Sequence, residues 1–373
     1  MPRFGFISTY PPTHCGLATF TEALATAMVG PADTRSRIVR VMDEGDGPAP
    51  ELVGSRSTIV GELYPGDAPR DAVAILDDCD AVIVQHEYGI YGGRDGDEIV
   101  PVLLAIAAPV IVVLHTVLPA PTPHQKLVLE QVAAAASVVV VMTVAAHTLL
   151  AQTYTVDDSK VRVIPHGVGD WHVTSENLSR TTRTMLTWGL IGPGKGIEWG
   201  IRAMALLAEE HPTLRYVVAG QTHPKVLAHE GEHYRETLEA LIEEYGLSHR
   251  VTLDERYLDR AQLAALVGSA EIVLLPYDSR DQATSGVLTE AIAAGRHVIA
   301  TGFPHAREVL ARTGHIVGHE DPEGIAASVA EILARAPRAG RRNRYGRERS
   351  DSWATVAERY RRLSARLGRE RTA

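Results

Sequence analysis

Cysteine is nearly missing from this sequence, with only Cys15 and Cys79 in 373 residues. One pair cannot make a disulfide framework, so the fold has to rest on buried apolar surface, and the chain fits a reducing compartment. Long apolar runs are missing too. None approaches the roughly 18 residues a membrane-spanning helix needs. The run from Phe4 to Thr9 is short and is followed at once by turn residues, so no secretory leader is expected. Positive charge is in deficit: 37 Lys and Arg face 46 Asp and Glu, a formal net charge of −9. That argues against nucleic acid as a partner, which calls for a basic footprint. The basic residues that remain crowd between Arg335 and Arg371 among glutamates. They read as a solvated helix face, compatible with weak peripheral membrane contact. The G-x-G-x-x-G dinucleotide fingerprint is absent. A soluble cytoplasmic protein is the expectation.

What is present is alternation. Apolar runs at Arg3–Ser8, Ser36–Met42, Ala81–His86, Pro109–His115, Ser137–Met142 and Val161–Pro165 read as strands with helical patterns between most of them. Gly167 to Arg180 loses periodicity and reads as a linker. A second series follows, with strands at Met185–Trp188, Arg215–Ala219, Arg250–Leu253, Glu271–Tyr277 and His297–Thr301. Its helices include Glu198–Glu210, Tyr234–Tyr245 and Pro322–Ala334, and Ser352–Leu367 is a strongly amphipathic helix. The expected fold class is α/β, with two doubly wound Rossmann-like domains, 1–170 and 171–351, facing across a cleft. Ligands are expected there, at the carboxyl ends of the strands.

The loops at those ends carry the chemistry. Asp281 to Glu290 (DQATSGVLTE) joins a strand to a helix that stops at Gly295. Thr284 or Ser285 can cap that helix, and the amides near Gly286 and Val287 are then free to hold an anion, usually a phosphate. Glu290, one turn deeper on the same face as Gly286, can accept hydrogen bonds from paired hydroxyls such as those of a ribose. Gly16 sits at the start of the first helix, where backbone can approach a phosphate or sugar. The loop of His86, Glu87 and Tyr88 suits hydroxyl recognition. His115 ends the next strand, where it can exchange a proton or hold a hydroxyl. Gly189-Leu190-Ile191-Gly192-Pro193-Gly194-Lys195-Gly196 can wrap an anion, with Lys195 as its fixed positive charge. Gln221, closing a further strand, suits a nucleobase or ribose.

This order of motifs resembles the retaining, nucleotide-sugar-dependent glycosyltransferases of family 4, which have the GT-B fold. The resemblance spans nearly the whole chain, including a C-terminal helix (352–369) that in this fold crosses back to the N-terminal domain. It implies that Lys195 binds the donor diphosphate, that Glu290 binds the donor ribose, and that Ser285, Gly286 and Val287 hold phosphate. It also implies that His115 faces the transferred sugar. Gly16, Gly189, Gly194 and Gln221 fall on the donor side, and His86, Glu87 and Tyr88 on the acceptor side. Two positions depart from the family pattern. Leu190 stands where an arginine is common, and Gln282 replaces the first of two glutamates separated by seven residues. Gln282 can bond sugar hydroxyls but supplies no negative charge to an oxocarbenium-like centre.

The expected activity is transfer of a hexose, mannose or glucose, from a GDP- or UDP-linked sugar to an acceptor hydroxyl. Configuration is retained, and neither metal nor cofactor takes part. A sugar phosphorylase on the same fold and a non-catalytic nucleotide- or glycan-binding module are the alternatives. Two further patterns are set aside. His229-Glu230-Gly231-Glu232-His233 matches the zinc-protease H-E-x-x-H, but Gly231 sits at its centre. Asp78-Cys79-Asp80 matches a metal motif of another glycosyltransferase fold, but lies at a helix end before a strand.

Overall fold

Apolar runs rich in Val and Ile, closed by turns, form strands that are buried on both faces, as parallel sheets require. The computed structural model describes residues 3–29, 36–43, 47, 57–68, 70–169, 183–311, 314–335 and 351–372. The chain divides into two units, Met1–Gly167 together with Asp351–Ala373, and Val168–Ser350.

In the first unit the order is β1 (Phe4–Ser8), α1 (Gly16–Met28), β2 (Ser36–Val41), β3 (Ser57–Leu63), α2 (Arg70–Leu76), β4 (Ala81–His86), α3 (Ile99–Ala105), β5 (Val110–Leu114), α4 (Pro123–Ala135), β6 (Val138–Val141), α5 (Val144–Thr153) and β7 (Val161–Val163). These strands make one seven-stranded parallel sheet in the order β3-β2-β1-β4-β5-β6-β7. The second unit runs β8 (Arg183–Trp188), α6 (Ile197–Leu206), β9 (Leu214–Ala219), α7 (Pro224–Glu230), α8 (His233–Glu244), β10 (Val251–Asp254), α9 (Arg260–Ser269), β11 (Ile272–Leu275), α10 (Gly286–Ala293), β12 (His297–Thr301), α11 (Pro304–Leu310), β13 (His315–Val317) and α12 (Pro322–Ala334). Its six strands are ordered β10-β9-β8-β11-β12-β13. Each sheet reverses direction once, beside β1 in the first and β8 in the second. Such a switch point opens a crevice at the carboxyl ends of the strands. The loops after β1 and β4, and after β8 and β11, lie at those two crevices.

Both sheets are covered on both sides. In the second unit Met185, Ile201, Tyr216, Leu274 and Ile299 pack on one face. Leu186, Trp188, Val273, Leu275, Leu288 and Phe303 pack on the other. In the first unit Phe4, Phe6, Phe20, Leu24, Ile83 and Ile111 share a core with Val356, Ala357 and Tyr360 of the last helix, α13 (Trp353–Thr372). Arg361 Nη1 donates to the Ala27 carbonyl at 2.9 Å, which ties α13 to the open end of α1. The C-terminal helix is thus part of the first unit's core.

Two strands escaped the sequence reading. β3 is an edge strand, only partly buried along its length. Its register skips a residue, with Ile38 facing Ile59 and Val39 facing Gly61, so a glycine-marked bulge breaks its alternation. β13 has three residues, too few for a period to show. Residues 170–180 of the expected linker, and 336–350 of the basic stretch, lie outside the described residues. No helix among the described residues is long and apolar enough to cross a membrane.

Tyr360 is 1% exposed, and its hydroxyl has no hydrogen-bond partner. The ring therefore stabilises while the hydroxyl costs. Tyr360→Ala should lower unfolding free energy by about 3–5 kcal/mol, as loss of a large core aromatic does. Tyr360→Phe should be neutral, or stabilising by up to about 1–3 kcal/mol. Urea denaturation of the three proteins checks both signs.

Candidate functional site

In the second unit the site begins with backbone. Gly189 (φ 126°), Gly194 (φ 83°) and Gly196 (φ 61°) take conformations that favour glycine. A side chain at Gly196 would overlap the Pro276 carbonyl oxygen. Asp278 N donates to Gly194 O at 3.0 Å, and Trp199 Nε1 donates to Asp278 Oδ1 at 2.9 Å. The lysine loop is thereby clamped to the loop after β11. The clamp places Lys195 Nζ 4.6 Å from the ring centroid of Tyr277. Among the described residues no carboxylate forms an ion pair with Lys195, and burial lowers its pKa. His223 lies close enough that the Lys195 charge, after burial, helps to keep its imidazole neutral.

Tyr277 is the hub. Its ring stacks on Phe303, with centroids 5.6 Å apart. Its carbonyl accepts from Thr301 Oγ1 at 2.6 Å and from His319 Nδ1 at 2.9 Å. Ser285 lies near enough to its hydroxyl to offset part of the rise that burial gives the phenol pKa. Of the two possible caps, Ser285 caps α10: its Oγ accepts from Leu288 N at 3.2 Å. Ser285 N in turn donates to His305 Nδ1 at 2.9 Å. The next two amides, of Gly286 and Val287, have no partner within the described residues. They are the anion-binding pair expected of a capped helix start. α10 ends at Gly295 (φ 68°), where Arg296 N donates to Ala291 O at 3.2 Å.

The loops meet closely. A side-chain carbon at Gly189 would touch Val287 at 3.9 Å. Burial pushes the Glu290 carboxyl up to about 7, against the lowering influence of Arg260 and of the Trp188 side chain. Lys195, Ser285, Gly286, Val287 and Glu290 are therefore brought together around Tyr277 and Trp188. Gln221 meets this loop through backbone, its carbonyl accepting from Ile191 N at 2.9 Å. Gln282 is partly exposed, and its carbonyl accepts from His305 N at 3.4 Å. Tyr277, His305 and Trp188 were passed over in the sequence because they look like core. For Tyr277 and Trp188 position near a strand end was the only signal; His305 lies in α11, and its contact with Ser285 shows only in the fold.

In the first unit, Cys15 caps α1, its Sγ accepting from Ala18 N at 3.4 Å. Gly16 is exposed with open space where a side chain would begin. Glu87 is held by the Thr116 hydroxyl and by Tyr88 N. Tyr88 reaches Gln125 O and Tyr154 Oη, each at 3.4 Å. His86, expected among the acceptor contacts, is fully enclosed, with neither ring nitrogen bonded. It ends a strand buried on both faces, so its side chain turns inward where the loop residues after it do not. His115 Nε2 lies 2.7 Å from Gln85 Oε1. Its ring meets Phe20 edge to face at 4.8 Å, and burial, with His166 and His86 nearby, pushes its pKa down to about 3. His166, absent from the sequence reading, lies three residues past β7 in the same group. It bonds Gly167 O at 2.6 Å and meets Phe20 at 5.0 Å.

The zinc-like pattern is broken. α7 stops at Gly231 (φ 64°) and α8 starts at His233, so the two histidines lie on separate helices. Asp78 pairs with Arg3 and Arg37, and Asp80 accepts from Arg3 N at 2.5 Å. Among the described residues no three His, Cys, Asp or Glu side chains are grouped to hold a metal.

Residues 173–349 match the family of Glycosyl transferases group 1. The matched residues fall in the second unit. No curated protein sequence matches the chain. Among solved structures, HepE of Anabaena in complex with UDP and glucose is similar at TM-score 0.76 and 14% identity, covering 98% of this chain and 100% of that one. Sucrose-phosphate synthase from Thermosynechococcus elongatus gives 0.68 and 19%, with 98% and 99% covered. A UDP-forming trehalose-phosphate synthase from Burkholderia xenovorans gives 0.70 and 15%, with 98% and 99% covered. These likenesses show the fold, and the two doubly wound units are those of GT-B. The chain is a glycosyltransferase, with its lysine loop and α10 inside the residues that match.

Glu290 makes stability depend on pH. Its carboxyl titrates near 7 when folded and from 4.5 ordinarily. Between those values the folded chain holds a proton that the unfolded chain has lost, so stability falls as pH rises from about 4.5 to about 7 and then levels. Glu290→Gln should remove that slope and be more stable than the wild type above pH 7. Melting temperatures from pH 4 to 8 check it, and parallel curves would refute the assignment.

Proposed function

We propose that the chain is a retaining glycosyltransferase of family 4. In this reading it moves a hexose, mannose or glucose, from a GDP- or UDP-linked sugar to an acceptor hydroxyl without a metal ion. The observation that carries the proposal is the desolvated Lys195 cation and the free amides of Gly286 and Val287, gathered around Tyr277. Such a cluster is built for a phosphate group. UDP with glucose in the similar HepE structure supports a nucleotide-sugar donor. The residues fit a division of labour. Lys195 and the α10 amides stabilise charge on the departing diphosphate. Glu290 accepts from the ribose hydroxyls, and Gly189, Gly194 and Gln221 shape the donor pocket. Gly16 offers its backbone to the donor, and Glu87 and Tyr88 are the first unit's share of acceptor binding. His115, kept neutral, holds a hydroxyl of the transferred sugar, and Gln282 hydrogen-bonds sugar hydroxyls. With Leu190 in place of arginine, Lys195 carries most of the fixed positive charge. The acceptor attacks on the leaving-group face, with the donor phosphate as base, which retains configuration. A cytoplasmic location belongs to the same reading.

Thermal shift against UDP, GDP, ADP and their sugars identifies the base. A ligand at a hundred to a thousand times its Kd should add about 2.7–4.1 kcal/mol of stability. Lys195→Ala should cut turnover about a hundredfold or more, a larger loss than in ground-state nucleotide affinity. Lys195→Arg should recover part, since a planar fork replaces a point charge poorly. Near wild-type turnover in Lys195→Ala would move the diphosphate elsewhere. His115→Ala should lower turnover and spare nucleotide affinity, and equal loss of both would make His115 a core residue.

A further inference from the structure

Gln85 sits one residue before the end of β4 and is fully buried. Its neighbours Val82, Ile83 and Val84 are buried too, so the position suits an apolar side chain. Gln85 Oε1 lies 2.7 Å from His115 Nε2, yet Gln85 Nε2 has no hydrogen-bond partner. Burying an unanswered amide costs stability, and unsatisfied groups of this kind in a core call for an explanation. The Gln85 backbone does not supply one. Its carbonyl accepts from Tyr91 Oη at 2.6 Å, a bond that any residue there would keep. What glutamine does here, and leucine could not, is meet the imidazole of His115.

We propose that Gln85 is the positioning residue that fixes the tautomer and tilt of His115, holding hydrogen on Nε2 so that Nδ1 is the acceptor offered to a sugar hydroxyl. This rests on the reading of His115 given above. Nδ1 of His115 has no partner within the described residues. The ring is held from its other sides by Phe20, edge to face at 4.8 Å. The titratable groups that face it are His166, three residues past β7, and His86, from β4. Phe20 of α1 and Trp353 of α13, which meet each other at 5.0 Å, bring no charge. His166 is itself committed to Gly167 O at 2.6 Å. In these surroundings His115 stays neutral, and a neutral imidazole has one donor and one acceptor. A carboxylate in place of Gln85 would also accept from Nε2, but would favour the charged ring. An amide oxygen sets the direction and leaves the charge at zero.

The test uses the full chain with Gln85→Leu, Gln85→Glu and, should leucine fail to fold, Gln85→Met. Histidine 15N shifts report the tautomer without any turnover. The wild type should show His115 with hydrogen on Nε2, and Gln85→Leu a mixture. Gln85→Leu should melt at or above the wild-type temperature, keep its affinity for UDP or GDP, and lose roughly tenfold or more in kcat, as a displaced positioning group does. Gln85→Glu should recover part of that kcat and move the acid limb of the pH–rate profile to higher pH. An Nδ1–H tautomer in the wild type, an unchanged tautomer in Gln85→Leu, or joint loss of melting temperature and nucleotide affinity would overturn the proposal. If His115→Ala is itself neutral for turnover while the tautomer still follows Gln85, the role given to His115 fails and the Gln85–His115 pairing stands.

Discussion

Close approach of backbone to backbone governs the second unit. Gly196 lies where the Pro276 carbonyl leaves no room for a side chain, and Gly220 abuts the Gly189 carbonyl in the same way. These contacts draw the loops after β8, β9 and β11 into one body. Only then does Lys195 lie over Tyr277 and Gly189 against Val287. A cation on a mobile loop would gather counter-ions or a surface carboxylate. Here its partner is an aromatic face, and the position of the charge is set before any ligand arrives. Pre-organisation of this kind is where most electrostatic stabilisation of a transition state originates.

The two units use opposite electrostatics. The second unit concentrates positive potential in a desolvated lysine and two amides without partners among the described residues, and that lysine helps to keep His223 neutral. Its one carboxylate at the centre, Glu290, is pushed toward protonation by burial and restrained by Trp188 and Arg260. Three histidines of the first unit are held neutral by burial, His86 and His166 at about 4 and His115 at about 3. Neutral imidazoles and amides sort hydroxyls by direction of hydrogen bonding, whereas the lysine and amides sort by charge. A diphosphate and a sugar need those two kinds of recognition.

The structural elements were largely readable because both faces of a parallel strand are buried. That leaves continuous apolar runs such as Val138–Val141, which need no tertiary information to recognise. The helix start at Ser285–Gly286 and its stop at Gly295 were readable because capping chemistry is local. The lysine loop was readable because its glycines are spaced for positive φ. β3 was not, because an edge strand with a bulge at Gly61 shows neither a continuous run nor a clean alternation. Ser285 and Thr284 could not be told apart as caps from composition. The Leu288 amide bonds the Ser285 hydroxyl, and His305, distant in sequence, holds the Ser285 amide.

By itself, then, the order of residues determined two doubly wound units, the helix start that offers free amides, and the lysine loop, all consequences of short-range sterics and burial period. Tertiary structure decided what surrounds them. It enclosed His86, broke the H-E-x-x-H pattern into two helices at Gly231, put Tyr277 beneath Lys195, and set Gln85 against His115. A side chain's partners across a sheet depend on strand order and register. Strand order is a property of how crossovers pack, and no local pattern of residues encodes it.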